Sequence, residues 1–339
     1  MTFVPHRVLQ VVGSPTNAFF ADLSRLYAAD CARALGELVD FRYAWLEPAG
    51  WRFPVSLAPA DIAAAPLHPP AAAIAHIATL GIEGVLPQLF CEAGMTDYRA
   101  LWSVLNLPYL GNLPATMAIA ARKDWARSLV QAAGVAIPQG EVLTRGQSPQ
   151  LPPPAVVKPA TADNSTGVTF VATWEDYETA LTTAFAHSPV VLVEEYIPLG
   201  REVRCGLVAD GDTLQILPLE EYNVDNATHP IRRPEDKLQR DDQGQLYLAA
   251  KDGVKAWLVP PEDPLTAVVG AAARRCHQAL GCRGYSLFDF RVNPTGQPYF
   301  LEAGLYCSFA PKSVLVTMAA AAGIDLFTLW QRVWLACLP

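Results

Sequence analysis

Two acids, Asp289 and Glu302, stand thirteen positions apart in Gly284-Tyr-Ser-Leu-Phe-Asp-Phe-Arg-Val-Asn-Pro-Thr-Gly-Gln-Pro-Tyr-Phe-Leu-Glu-Ala303. Aromatic and branched residues fill both arms, and Asn293-Pro-Thr-Gly296 supplies the Pro and Gly of a tight connection, so the stretch reads as a β-hairpin carrying one carboxylate on each strand. With Thr295 and Gly296 at the tip, Asp289 falls opposite Glu302 on one face; a Gly bulge at the tip shifts that pairing by one residue. Like charges directly opposed destabilise a strand pair, and a carboxylate set among Phe288, Phe290, Phe300 and Leu301 needs a partner. A divalent cation meets both needs, because Mg2+ is commonly held by one or two carboxylates together with the phosphates of a nucleotide. One solvated acid per strand is the other reading of the same residues.

If a nucleotide is bound, something must hold its phosphates and its base. Val156-Val-Lys-Pro159 reads as a strand with Lys158 at its end, followed by the small-residue loop Ala160-Thr-Ala-Asp-Asn-Ser-Thr-Gly-Val168. Backbone N–H groups in such a loop can cradle an anion, with the Lys adding a point charge. The loop lacks the GxxxxGK[ST] pattern, and taken alone an ordinary surface loop is the better reading. Val193-Glu-Glu-Tyr-Ile197, followed by Gly200-Arg-Glu202, places acids at the end of a buried strand, where they could accept from an adenine amine and ribose hydroxyls. Solvated acids on an edge strand are the alternative.

The elements that would position these groups follow from periodicity. Val8–Val12 reads as a buried strand and residues 19–38 as a helix; residues 74–79, 84–90 and a helix through Leu105 form a second such unit. Alternating strands and helices predict a small parallel α/β domain. Residues 117–133 read as one helix containing Lys123. The strand at 156–159, a strand at 169–172, a helix over 174–185 and the strand 190–197 form a βαβ-like piece. Short strands at 202–208 and 213–219, a long polar segment at 223–253, a helix over 265–280 and the hairpin complete the chain. The expected organisation is an α/β protein, α+β in its C-terminal part, divided as 1–120, 121–205 and 206–339.

At 339 residues the chain is long enough for two or three domains. Apolar residues make up 51% against 17% charged, with mean hydropathy +0.18, so most of it can be buried. A net charge of -8 argues against a nucleic-acid partner. Seven cysteines without a CxxC pair argue against a disulfide framework. No apolar run reaches the length of a membrane span and no secretory leader is evident, so a cytoplasmic protein without a membrane partner is expected.

In their order along the chain, Lys123, VVKPA with Lys158, VLVEEYI…GRE, ALGCRGYS…FDF and FLEA resemble the ATP-grasp superfamily, and within it the D-alanine–D-alanine ligase branch, over residues 80–315. The resemblance implies a three-domain fold with ATP between the central and C-terminal domains. Lys123, Lys158 and Ser165 would hold phosphates, Glu194 and the backbone of Glu195, Tyr196 and Ile197 the adenine, and Glu202 the ribose, with Leu301 packed on the base. Asp289 and Glu302 would bind Mg2+. Lys237 is similar to the mobile-loop Lys of the family and would act with Lys158 in catalysis. Ser313, eleven residues beyond Glu302, matches the position that binds the carboxylate of the incoming amino acid. Asn164, Cys307 and Lys312 would line the substrate site. The family also implies small-molecule substrates and a homodimer.

Two departures stand out. The family usually has Asn two residues after the metal Glu and Arg two residues before the metal Asp; here these are Gly304 and Leu287. Leu cannot steady an oxyanion as a guanidinium does. The loop Gly13-Ser-Pro-Thr-Asn17 also lacks the acid that would hold a first amino acid's ammonium. Pro87-Gln-Leu-Phe-Cys-Glu-Ala-Gly-Met-Thr-Asp-Tyr-Arg99, together with Leu301-Glu-Ala-Gly-Leu-Tyr-Cys-Ser-Phe-Ala-Pro-Lys-Ser313, resembles the ligases of mycosporine-like amino acid synthesis. That likeness implies coupling of serine or threonine to mycosporine-glycine, with release of ADP and phosphate. A D-alanine–D-alanine-type dipeptide ligase and a nucleotide-binding module without turnover are the rival expectations. If the two acids share one metal, combined Asp289→Ala and Glu302→Ala substitution lowers Mg2+-dependent ADP release by at least about a hundredfold; undiminished turnover in a coupled ADP assay sinks the pairing.

Overall fold

The computed structural model describes residues 4–162, 165–225, 230–232, 238–240, 246–248 and 255–338. Its first part contains β1 (Arg7–Gly13), α1 (Ala18–Leu35), β2 (Asp40–Glu47), β3 (Gly50–Arg52), α2 (Pro59–Ala64), α3 (Pro70–Ile77), β4 (Gly84–Pro87), α4 (Glu92–Met95), α5 (Asp97–Val104) and α6 (Pro114–Ala120). The sheet order is β3-β2-β1-β4, with β1 parallel to β2 and β4, as alternating elements require. β3 is antiparallel and lies at the edge. β2 and β3 escape the sequence reading because Asp40-Phe-Arg-Tyr-Ala-Trp-Leu-Glu47 is half-exposed over most of its length and offers no clean buried run.

The middle part contains α7 (Lys123–Ala132), β5 (Gly140–Thr144), β6 (Ala155–Pro159), β7 (Thr169–Val171), a 3-10 turn (Trp174–Asp176), α8 (Tyr177–Phe185) and β8 (Val190–Glu195), with sheet order β5-β8-β6-β7. β6 is antiparallel to both β7 and β8, so β7–α8–β8 is a crossover split by β6. The single helix expected over 117–133 is two helices. The chain breaks between Ala120 and Lys123, and the Lys123 N–H at the start of α7 donates to Ala160 O at 2.9 Å. That bond ties the helix end to the loop after β6.

The last part contains β9 (Arg201–Asp210), β10 (Thr213–Ile216), β11 (Glu220–Tyr222), β12 (Leu238–Arg240), β13 (Leu246–Leu248), β14 (Ala256–Leu258), α9 (Pro264–Ala279), β15 (Tyr285–Val292), β16 (Pro298–Ala303), α10 (Val314–Ala321) and α11 (Leu326–Cys337). Strands β14-β11-β9-β15-β16 form one sheet, with β10 paired to β9. A division at 205 falls inside β9; the two sheets separate between Glu195 and Arg201. Nor does α7 belong wholly to the middle part, since Ala126 and Val130 share a core with Phe288, Phe290 and Phe300.

Side chains alternate across a strand, and in β9 and β15 this alternation sorts the chemistry. One face carries Val203, Cys205, Leu207, Phe288 and Phe290 into the core under α7 and α9. The other carries Glu202, Arg204, Asp289 and Arg291 at one end, and Val208, Tyr285 and Leu287 at the opposite end. That apolar end shares a core with Val8 and Leu86 of the first sheet, Cys31 and Leu35 of α1, and Trp330 and Trp334 of α11. A Cβ on Gly84 would lie 2.6 Å from Trp334 Cη2, so the indole packs directly on the β4 backbone.

All seven cysteines are free. Among the described residues no single helix is long and apolar enough to cross a membrane; α10 and α11 meet at 110° and bury Met318, Trp330 and Trp334 completely. His277 on α9 bonds Ser286 Oγ through Nδ1 at 2.8 Å, and burial lowers its pKa to about 4.

Two stability outcomes follow from this packing. Trp334→Ala opens a cavity between the first and last parts and is expected to cost about 3–5 kcal/mol in denaturant unfolding. Because folded His277 resists protonation while the unfolded imidazole accepts it near pH 6.5, the stability due to neutral His277 is whole above that pH and falls as pH drops towards 4. The loss approaches roughly 3 kcal/mol at the acid end, and His277→Asn should flatten this part of the Tm against pH curve.

Candidate active site

The site is built on the hairpin β15–β16. Asn293 Oδ1 accepts from Thr295 N at 3.1 Å and Gln297 N at 2.9 Å, while Gly296 takes φ +85, which glycine adopts without a Cβ penalty. The turn offsets the arms by one residue, pairing Val292 with Pro298 and Phe290 with Phe300. A bulge at Leu301 then restores the offset, so Asp289 pairs with Glu302. Both sequence alternatives are thus realised, one at each end of the hairpin.

The charges of these acids are balanced within the protein, and that corrects the inference that a cation is needed to satisfy them. Asp289 receives both prongs of the Arg204 guanidinium, Nε to Oδ1 and Nη2 to Oδ2, the latter at 2.6 Å. Burial works against the charge on Arg204, but Asp289, Tyr222 and Glu220 hold it cationic. Glu302 lies 3.5 Å from Lys123 Nζ, and that ammonium also donates to Ala162 O. Among the described residues no group of three His, Cys, Asp or Glu side chains could hold a metal. Two adjacent carboxylates do suit Mg2+ whose remaining ligands are phosphate and water.

Asp289 and Glu302 form one wall of a cleft between the two later sheets. Together with Glu202, Arg291 and Leu301 they face Val156 and Lys158 of β6, Ser165 and Val168 of the loop, and the segment from Glu194 to Ile197. The space is about 780 Å³, its open mouth included. Lys123, Lys158, Ser165, Glu194, Glu195, Tyr196, Ile197, Glu202, Leu301, Asp289 and Glu302 all line it. Ser165 and Gly167 take positive φ, +60 and +73.

The polar partners differ from the expected ones at several points. Glu194 is buried, with Oε2 2.6 Å from Lys158 Nζ and Oε1 3.1 Å from Arg127 Nε, so its carboxylate steadies two cations. The Glu195 N–H is committed to Gln139 O at 2.8 Å, leaving its carbonyl as the group able to meet a base. Glu202 receives Arg291 Nη1 at 2.6 Å. Burial raises the Glu202 carboxyl above its usual range, and Arg291 and Arg232 pull it back. Arg291 also donates to Ile197 O at 3.2 Å and stacks over Tyr196 at 4.9 Å, joining the two walls.

Three expected substrate residues stand outside the cleft lining. Cys307 belongs to the apolar core that includes Leu287 and Phe309, and burial pushes its thiol up to about 12, so it is no nucleophile. Lys312 is exposed, and Ser313 precedes α10 with its hydroxyl buried and without a nitrogen or oxygen partner among the described residues. Asn164 and Lys237 lie outside the described residues. Arg127, Arg204, Arg232 and Arg291 were missed. The opposite signs at 202 and 291, and at 204 and 289, carried a signal legible only once β9 is known to pair with β15.

Comparison with known proteins agrees with this architecture. The family model described as "D-ala D-ala ligase C-terminus" matches residues 129–334. A D-alanine–D-alanine ligase of Trichlorobacter lovleyi is 30% identical over 245 residues, covering 69% of this chain and 71% of the relative. The vancomycin B-type resistance protein VanB of Enterococcus faecalis is 27% identical over 252 residues, 73% of this chain and 71% of its own. Among solved structures, the VanG D-Ala:D-Ser ligase of Enterococcus faecalis superposes with TM-score 0.74 at 18% identity, covering 96% of this chain and 98% of that one. The D-alanine–D-alanine ligase of Bacillus anthracis complexed with ATP gives TM-score 0.70 at 19% identity, covering 98% and 97%. The chain therefore has the ATP-grasp fold and belongs to the D-alanine–D-alanine ligase family of ADP-forming carbon–nitrogen ligases.

Proposed function

We propose that the cleft binds ATP with Mg2+ and that the protein joins an amino-acid amine to a carbon whose oxygen has first taken the γ-phosphoryl group, releasing ADP and phosphate. The observation that carries this reading is the convergence of Lys123, Lys158, Asp289 and Glu302 on one cleft against Glu202. Phosphoryl transfer needs little covalent help from protein; it needs positioning and neutralisation of charge. Mg2+, when bound by Asp289 and Glu302, supplies part of that charge. Lys123, Lys158 and the loop at Ser165 hold the phosphates, with Lys158 aimed by Glu194. The carbonyl of Glu195 and the N–H of Ile197 meet the purine, Leu301 packs on it, and Glu202 takes the ribose. The Ser313 hydroxyl, buried beside the Cys307 thiol, would have to turn outward to take the carboxylate of the incoming amino acid.

The relatives support a dipeptide ligase acting on D-alanine, or on D-alanine with D-serine, as the first reading. A second reading, coupling of serine or threonine to mycosporine-glycine, is favoured by the place of Leu287. Its side chain is buried in the core with Tyr285 and Cys307, so this position supplies no guanidinium for acyl attack. Phosphorylation of the ring carbonyl oxygen followed by amine attack on that carbon does not call on one. The first loop agrees: Asn17 caps α1 through Phe20 N at 3.0 Å, and no carboxylate stands between Gly13 and Asn17 to hold an ammonium. A location in the cytoplasm, where ATP is supplied, fits either reading.

Coupled ADP assays with mass spectrometry of the products separate the two. ADP with D-alanine alone, or with D-serine added, and a dipeptide mass support the first. ADP only with mycosporine-glycine plus serine or threonine supports the second, and no ADP with any of these acceptors despite ATP binding overturns both. In whichever reaction runs, Lys158→Met is expected to lower kcat on the order of a hundredfold.

A further inference from the structure

The Arg204 fork takes one lone pair on each oxygen of Asp289, so a divalent cation chelated by that carboxylate competes with the guanidinium. Arg204 and Asp289 are direct cross-strand partners, and both carboxylate oxygens accept from the one guanidinium. Asp289 lines the cleft, whereas Arg204 is set back from it. There the guanidinium lies 5.6 Å over the Tyr222 ring, which Arg232 covers from 3.5 Å. Its charge also reaches the Tyr27 phenol of α1. Tyr27 packs edge-on against Phe90 at 5.5 Å, and Phe90 against Tyr306 at 5.3 Å. Arg204 thus holds the carboxylate from outside the cleft lining, with the Tyr222 ring beside it.

We propose that Arg204 is a positioning residue of the ligase reaction, serving as counter-ion to Asp289 until Mg2+ with nucleotide takes the carboxylate, and then turning to an anionic or carbonyl oxygen of the acceptor. The proposal rests on reading the cleft as a Mg2+-nucleotide site. It places a guanidinium on β9, two residues before Gly206, the cross-strand partner of Leu287, which offers none. The exchange is one of cations on a fixed carboxylate, so the strand backbone need not move; Arg204 has three carbons of reach, and its side chain is 16% exposed.

Mn2+ with a non-hydrolysable ATP analogue, titrated by electron paramagnetic resonance into wild type, Arg204→Met and Arg204→Lys, tests this. With no guanidinium to displace, Arg204→Met is expected to bind Mn2+ about tenfold tighter, the order of one charge-assisted hydrogen-bonded pair. Its KM for the acceptor should rise by a similar factor, while KM for the metal–nucleotide complex falls along with the tighter metal binding, and Arg204→Lys should recover part of the acceptor effect. Unchanged or weaker Mn2+ binding, or an unchanged acceptor KM, overturns the proposal. Should Arg204→Met fail to fold, the 15N signal of Arg204 Nε in wild type, identified by its loss in Arg204→Lys, decides. It shifts when Mg2+ and the analogue are added if the fork lets go, and its staying in place with metal bound overturns the exchange. Failure of wild type itself to bind Mn2+ with nucleotide sinks the cleft reading, and that result is distinct from a wild type that binds while Arg204 is indifferent.

Discussion

Two cross-strand ion pairs, Glu202 with Arg291 and Arg204 with Asp289, set the character of the sheet on which the site depends. They sit side by side on one face of β9 and β15, where removing either partner would leave a charge buried and uncompensated. The opposite face of the same strands carries the apolar residues that pack under α7 and α9, with Ser286 satisfied there by His277. One face therefore holds the sheet in the core while the other offers charge to the cleft, and alternation along the strand is what lets ten residues of β9 do both.

The cleft inherits its shape from that division. Arg291 reaches past Glu202 to Ile197 O and the Tyr196 ring, so the wall from the middle sheet is tied to the wall from the last one. Lys158 reaches Leu301 O at 3.4 Å from the other side. Glu194 gathers Lys158 and Arg127 on one carboxylate, which keeps an ammonium aimed into the cleft instead of folded against its own strand. The charged end of the sheet stays at the cleft because its apolar end is fixed elsewhere. Val208, Tyr285 and Leu287 are locked into the core shared with α1, β4 and α11.

The two departures from the family pattern occupy one place. Gly304 N donates to Leu287 O at 2.8 Å, so the missing Asn and the missing Arg are neighbours across the hairpin. A Cβ on Gly304 would meet nothing closer than Leu287 O at 3.9 Å, so a larger residue is sterically admissible there. Neither Leu287 nor Gly304 lines the cleft, so both departures fall together outside its wall.

The sequence by itself determined the pieces whose information is local. The hairpin, its two acids, the strand ending in Lys158 and the following small-residue loop are legible because turn residues, period-two alternation and a basic strand end are written within a dozen residues. Tertiary structure decided the rest. The arginines at 127, 204 and 291 find their partners 67, 85 and 89 positions away, and no local pattern encodes which strands will meet. The bulge at Leu301 corrects an offset made at the turn, so Asp289 meets Glu302 through two one-residue shifts that cancel. The break before Lys123 carries neither Pro nor Gly, and its N–H goes to Ala160, in the loop just after β6. Residue types and spacing named the chemical groups. Which charge neutralises which is set by the pairing of distant strands, because burial makes each unpaired charge too costly to leave alone.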